Sequence, residues 1–483
     1  MLAVVLLLLG GGLRVMHATQ PPFDHGAMRQ YWSALQARDH ERVLGGNASG
    51  FSTEVIRKAA ENEIEPPILQ WVTGIEWRAS GTESFWVPQV IAIAAWTIGG
   101  WFVFLLLRRI RSELAGLGGV AVWSFLPFSI YISRSFLPDV PMVACIAAAA
   151  YFMVRADDDP STRNEWLAVG VGALAVFVKL PAIFFVLALY AGLEVHRRGI
   201  GRLISKRTIR FSALIVLPTL VYYVIGLSIG GWLRGQDGGR IQPDLLLTVG
   251  FWKSWAQLDR QNFGPVILLL GVAGLLTARG RSLWAAASLA VGYMAFGLVF
   301  TFHYMTHTYY HLGAVLVLSV AIGLLTDQVF ECLRRRMRAA AAYTLLGAVS
   351  ALAFVGALTS WFPFIPPAAS AASISSYRRV PERVGALVDH SSNVVWVAPI
   401  VGVALRYYGG VAGTDWETIR PHYASNRAAL RQIRAKYGAD YFVIVDPPRG
   451  AQPNRALENF LAAFPEKARG PGFVIYDLRG QMI

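Results

Sequence analysis

Asp24 and His25 stand side by side, Arg29 follows after three residues, and Glu65 comes at the end of a polar stretch. Asp24 is the carboxylate nearest the end of the first apolar run. Such a group can act as a general base toward a hydroxyl within about 3 Å, or coordinate a divalent cation with a second carboxylate. An ordinary loop aspartate capping a short helix would look the same in sequence. Glu65 reads either as a loop charge or as an acid facing the same cavity. His25 could bind metal or serve as a hydrogen-bonding loop residue. No HExxH element occurs, which disfavours a zinc hydrolase. Further on, Arg134 and Lys179 interrupt apolar surroundings, where an ionisable side chain is costly and marks either function or snorkelling. Pairing with Asp139 is the plain alternative for Arg134. His303, His307 and Tyr309 can donate hydrogen bonds to an anion, or, with Tyr310, make up an aromatic belt at an interface.

The elements that must hold these residues follow from composition. The chain has 483 residues, is 55% hydrophobic and only 15% charged, and its mean hydropathy is +0.45. A soluble domain carries roughly 25% charged residues. A soluble enzyme, a disordered protein and a coiled coil are thereby disfavoured, and a polytopic α-helical membrane protein remains. The net charge of +14 fits cationic loops on the cytoplasmic side better than nucleic-acid binding. Cys145 sits in an apolar run and Cys332 beside a basic loop, so neither a disulfide framework nor a thiolate metal site is expected.

About eleven apolar runs approach the length of a bilayer span. They lie near 1–16, 85–107, 114–132, 140–154, 166–180, 181–195, 211–229, 263–278, 283–301, 312–326 and 342–359. The first lacks a basic n-region and a small-residue cleavage site, so a retained span is expected rather than a signal peptide. Arg108, Arg109 and Arg111, the cluster Arg197–Arg210, Arg279 and Arg281, and Arg334–Arg338 all fall on one side. The positive-inside rule makes that side cytoplasmic. The N-terminus is then cytoplasmic, and the 17–84 loop and the C-terminus from about 360 are extracytoplasmic. The expected organisation is a membrane domain over 1–359, including the 17–84 loop, and a C-terminal domain over 360–483.

In the 17–84 loop, Arg29–Arg42 and Thr53–Asn62 read as amphipathic helices suited to a membrane surface. In the C-terminal stretch, Asn393–Pro399, Tyr441–Asp446 and Gly472–Asp477 read as buried strands, and Asn426–Tyr437 and Asn454–Phe464 as helices. That alternation predicts a small α/β domain. The 230–262 loop carries Trp232, Trp252 and Trp255, which fit either a helix over a cavity or interfacial anchoring.

The order of the first span, Asp24, Ala37-Arg38, then Glu65-Pro66-Pro67-Ile68 with Trp71, resembles the GT-C superfamily of membrane glycosyltransferases. The likeness is to its protein mannosyltransferase-like (family 39) and aminoarabinose-transferase-like branch. Ser133–Asp139 resembles that branch's second outer loop, Val178-Lys179-Leu180-Pro181 its Lys-x-Pro element, and His307–His311 its His-x-Tyr-Tyr element. The resemblance covers roughly residues 1–330. The family's acidic pair after the first span is Asp-Glu, whereas Asp24 is followed by His25. Glu65 stands where the aminoarabinose branch has Lys, so that branch's phosphate contact does not carry over.

The resemblance implies transfer of a sugar from a polyprenyl-phosphate donor to a lipid, glycan or protein acceptor on the outer face. Catalysis requires a base for the acceptor hydroxyl and charge for the leaving phosphate. Asp24 is the expected base and Arg134 and Lys179 the expected phosphate cations. His25, Arg29, Glu65, His303, His307 and Tyr309 are the other expected substrate contacts. A divalent cation is an open possibility for this family, and membrane lipid rather than nucleic acid is the expected surrounding partner. Two other readings stand beside it: a secondary transporter, against which the lack of repeated halves counts, and a non-catalytic scaffold that keeps the membrane fold.

Overall fold

The computed structural model describes residues 1–16, 18, 22, 26–60, 63–234, 239, 241–361, 371–422, 425–445 and 455–480. Helix α1 (Leu2–Val15) is followed by α2 (Ala27–Val43), α3 (Thr53–Ala59) and α4 (Ile68–Ser80). Next come α5 (Trp86–Ile110), α6 (Glu113–Phe125), α7 (Pro127–Ile132), α8 (Asp139–Asp158), α9 (Thr162–Val178), α10 (Ala182–Arg198) and α11 (Lys206–Val224). Helices α12 (Val249–Phe263), α13 (Pro265–Thr277), α14 (Gly280–Val299), α15 (Thr301–Thr306), α16 (Leu312–Arg334) and α17 (Ala339–Trp361) complete this part.

The eleven apolar runs lie in helical segments, with 114–132 divided between α6 and α7 at Leu126. Among the described residues, six helical segments are long and apolar enough to cross a membrane: Trp86–Ile110, Asp139–Asp158, Lys206–Ile229, Gly280–Val299, Thr308–Arg334 and Ala339–Gly356. Helices α1, α6 and α13 are shorter apolar ones. The chain divides into two compact units, one of residues 1–20, 63–68 and 86–365, the other of 21–62, 69–85 and 366–483. Most of the first loop therefore groups with the C-terminal segment rather than with the membrane helices, unlike the single boundary expected near 359.

In the first unit α16 packs on α6 and α13, α10 on α14, and α8 between α5 and α9. Small residues allow this closeness, as in membrane interfaces generally: a Cβ on Gly323 of α16 would lie 2.6 Å from the Ala115 carbonyl oxygen of α6. The helix ends sort by charge. At one end Arg109 and Arg281 pair with Asp158, Arg197 and Arg281 with Asp157, and Arg111 with Asp327. These pairs gather the ends of α5, α8, α10, α14 and α16 into a cationic rim. The opposite end collects the C-terminus of α1, the start of α8, the end of α9 and the turn before α16.

The second unit contains α2–α4 from Leu69 on, α18 (Ala371–Leu387), α19 (Val403–Tyr407), α20 (Trp416–Ile419), α21 (Asn426–Tyr437) and α22 (Arg455–Leu461). Its sheet has strands β1 (Val394–Val397), β2 (Gly413–Asp415), β3 (Tyr441–Val445), β4 (Glu466–Gly470) and β5 (Phe473–Asp477), in the order β2-β1-β3-β5-β4. Strand β1 runs parallel to β2 and β3; β5 runs antiparallel to β3 and β4. The three expected strands form its centre, and the edges β2 and β4 are additional. A shift in register falls between Glu466 and Ala468 on β4.

Helix α2 corrects one expectation. It is not amphipathic and does not offer an apolar face to a membrane surface: Tyr31, Ala34, Leu35 and Ala37 are buried, and so are Gln36, Arg38, His40 and Glu41. Arg38 and Gln36 find polar partners inside the protein, as burial favours. Arg38 makes two 2.6 Å bonds to Glu83 and donates to the Tyr407 carbonyl at 3.0 Å. Gln70 donates to Gln36, and His40 stacks on Trp71.

Candidate active site

Lys179 sits where α9 breaks. Its backbone is extended at the C-cap, and two residues later Pro181 caps α10. Proline disfavours helical backbone in the residue before it, so the Lys-x-Pro sequence interrupts the helix here. The side chain turns inward and is 3% exposed. Its ammonium donates to both oxygens of Asp139 at 2.8 Å and lies 3.7 Å from Glu65. It also lies over the rings of Tyr310 at 4.9 Å and Tyr309 at 5.6 Å, a cation–π arrangement. Asp139 opens α8, where the helix dipole favours a carboxylate. Glu65 is held by its backbone: the Tyr222 hydroxyl lies 2.9 and 3.1 Å from the carbonyls of Glu63 and Glu65, which accept its hydrogen bond. One ammonium thus stands between two carboxylates, and these three side chains together carry a formal surplus of negative charge.

The fourth wall is the turn before α16. His303, His307 and His311 recur every four residues, a spacing that one continuous helix would stack. Helix α15 stops at Thr306 instead, and the chain passes through a 3-10 turn over Thr308–His311. His303 and His307 face each other with ring centroids 4.8 Å apart, and His303 lies 5.1 Å from Tyr310. Thr306 Oγ1 lies 2.7 Å from His307 Nδ1. Burial first, then the Lys179 charge, pushes the His307 pKa below the usual histidine value. His311 turns away, fully buried, and anchors the turn. Its Nε2 donates to the Tyr304 carbonyl at 2.9 Å, and its Nδ1 lies 2.8 Å from both Tyr293 and Asp259. The Tyr293 hydroxyl lies 2.6 Å from Asp259 and accepts a bond from Trp255. Trp255 is therefore a buried core residue, not an interfacial anchor, while Trp252 is exposed.

Of the residues expected from sequence, Glu65, Lys179, His307, Tyr309 and His303 come together. Arg134 lies on the loop that leads to Asp139, its guanidinium 5.4 Å from the Tyr131 ring centroid. Arg29 is on α2 in the other unit, half-buried. Asp24 and His25 lie outside the described residues. The sequence reading missed three contributors: Asp139 as the main partner of Lys179, Tyr310 as its aromatic cover, and Tyr222 as the support of Glu65. The Pro138-Asp139 helix start was a usable signal for the first. Among the described residues no group of three His, Cys, Asp or Glu side chains converges as a metal site. The Asp139 and Glu65 carboxylates instead hold an ammonium, so the described residues do not fit a resident cation.

Arg14 braces this end. It is buried on α1 and donates to the carbonyls of Gly10 and Ser124 and to the hydroxyls of Ser129 and Ser133. It thereby clamps α7 and the start of the Ser133–Asp139 loop to the first helix.

Residues 64–224 match the sequence profile of the family described as dolichyl-phosphate-mannose-protein mannosyltransferase. No curated protein matches the chain in sequence. Solved structures match along nearly its full length. ArnT from Cupriavidus metallidurans in the apo state aligns at TM-score 0.58 with 14% identity, over 98% of this chain and 97% of its own. The same protein bound to undecaprenyl phosphate aligns at 0.57, with the same identity and coverage. The Archaeoglobus fulgidus oligosaccharyltransferase, solved with Zn and sulfate, aligns at 0.58 with 14% identity, over 92% of this chain and 68% of its own. The chain therefore has the fold of ArnT, with several helices long and apolar enough to cross a membrane. Within the chain, the segment 64–224 is similar to that mannosyltransferase family.

Proposed function

We propose that this protein moves a sugar from a polyprenyl-phosphate donor to an acceptor hydroxyl on the outer face of the membrane. The observation that carries the reading is the buried Asp139–Lys179–Glu65 cluster beneath the Tyr309–Tyr310 turn, at the end of a GT-C fold opposite the cationic rim. The positive-inside rule assigns that rim to the cytoplasm, which leaves the cluster at the outer face, where the lipid phosphate of a donor lies. The undecaprenyl phosphate bound by ArnT supports the choice of donor class.

In this reading the acceptor oxygen attacks the donor's anomeric carbon while the bond to the phosphate oxygen breaks. The polyprenyl phosphate leaves with the electron pair, the acceptor proton passes to Asp24, and the donor carbon inverts. Arg134 takes the leaving phosphate, with hydrogen bonds from His307, His303 and Tyr309. Lys179 keeps its N–H bonds on Asp139 and contributes its charge. His25, Arg29 and Glu65 contact the sugar or acceptor.

The test is transfer of radiolabelled sugar from a panel of polyprenyl-phosphate sugars in membranes, with and without EDTA. Asp24→Asn is expected to lower transfer by about a hundredfold or more while the protein remains inserted. Undiminished transfer by Asp24→Asn would remove it as the base. No transfer by the wild type from any donor would sink the reading and favour a transporter or a scaffold. Loss on EDTA treatment would call for a cation held partly by residues beyond the described cluster.

A further inference from the structure

The cationic rim holds two kinds of basic residue. Arg109, Arg111, Arg197 and Arg281 are consumed in ion pairs with Asp157, Asp158 and Asp327. The segment between α10 and α11 differs. There Arg198 pairs with Glu194 and Arg207 with Glu165, but Arg202, Lys206 and Arg210 make no ion pair among the described residues. Arg202 and Lys206 line an open cavity of about 800 Å³ together with Arg198, Ser205 and Arg207, and Lys206 and Arg210 line an adjoining hollow of about 400 Å³ together with Arg207 and its partner Glu165. Ser205 caps α11, accepting from the Thr208 amide, so the positive end of a 19-residue helix adds to the field.

The same segment exposes branched apolar side chains. Ile200 is 76% and Ile204 82% exposed, on a 3-10 turn over Ile200–Ile204. Isoleucines left in water gain nothing there; at a bilayer interface they insert beside the headgroups. Unpaired cations, a cavity with room for a headgroup and flanking isoleucines are the combination that basic pockets beside membrane helices use for anionic lipids. A soluble phosphate would use the cations and leave the isoleucines without a role.

We propose that the α10–α11 segment is a binding site for the headgroup of an anionic phospholipid, separate from the donor site at the other end of the helices. The test uses the full-length protein in detergent and counts retained phosphatidylglycerol against phosphatidylcholine by native mass spectrometry. The wild type is expected to prefer phosphatidylglycerol. Arg202→Gln with Lys206→Gln and Arg210→Gln is expected to lower that preference by about a hundredfold, at about fivefold per cation. Ile200→Ser with Ile204→Ser should weaken retention of the lipid, and Arg202→Lys with Arg210→Lys should keep the preference, which separates loss of charge from loss of fold. Equal retention of both lipids by the wild type, or an unchanged preference in the triple variant, would overturn the proposal. So would displacement of phosphatidylglycerol by inorganic phosphate alone, which would identify the site as one for soluble anions.

Discussion

Lys179 and Asp139 are both almost wholly buried, and such a pair is more costly to break than to replace. Lys179→Met leaves the Asp139 charge without its cation, and a loss of about 3–5 kcal/mol is expected. Lys179→Met combined with Asp139→Leu should recover much of that stability, since an apolar pair suits the site, yet should not recover transfer. Thermal unfolding and the transfer assay on the four proteins of this cycle separate a structural pair from a functional one. His307 gives a pH signature. Its folded pKa lies below the ordinary value of 6.5 because of burial and Lys179, against the opposing pull of Asp139. The unfolded chain therefore takes up a proton before the folded one does as the pH falls. The stability contribution is fully present above about pH 6.5 and is lost below it. Between about pH 7.5 and about pH 5.5, the wild-type Tm should fall further than that of His307→Gln, which has nothing to titrate at that position. Equal falls would show that His307 does not carry the effect.

At the scale of elements, Arg14 ties α1 to the end of α6 through the Ser124 carbonyl and to α7 and its cap through the Ser129 and Ser133 hydroxyls. Arg14→Leu removes a charged donor from buried acceptors, and a cost of about 3 kcal/mol is expected. Because Ser133 precedes Arg134 directly, transfer should fall further than the loss of folded protein explains; measuring both on the same preparation tests this. Elements with one dominant signal were legible in the sequence. The spanning helices follow from apolar length, and β1, β3 and β5 follow from runs such as Tyr441–Val445, whose buried faces admit little else. Strand β4 was not legible, because its sequence, Glu-Lys-Ala-Arg-Gly, is mostly charged and exposed. Helix α2 was misread for the converse reason. Its polar residues suggested a solvated face, whereas Arg38 and Gln36 meet partners that are remote in sequence, Glu83 and Gln70. The site divides the same way. Lys179 stands out locally through its Lys-x-Pro break, but its bond to Asp139 joins residues 40 positions apart, and no spacing rule reports that.

For the whole molecule, two units of different chemistry share one chain, and the first loop is divided between them. The helical unit stores its polarity at its two ends, pairing acids with bases at the rim and enclosing one ammonium between two acids at the other. The sheet of the second unit stops at β4, whose outer edge carries Glu466, Lys467 and Arg469 and whose register slips between Glu466 and Ala468. A protein confined to a membrane meets its own copies in two dimensions, at local concentrations a soluble protein rarely experiences. An open, regular strand edge under that confinement is a template for runaway copy-to-copy pairing, and charge with irregularity is the usual protection. Lys467→Val with Arg469→Val is accordingly expected to leave the fold intact and to raise the cross-linked dimer and higher species in membranes as expression increases. An unchanged cross-linking pattern at every expression level would show that this edge is guarded by something other than its charges.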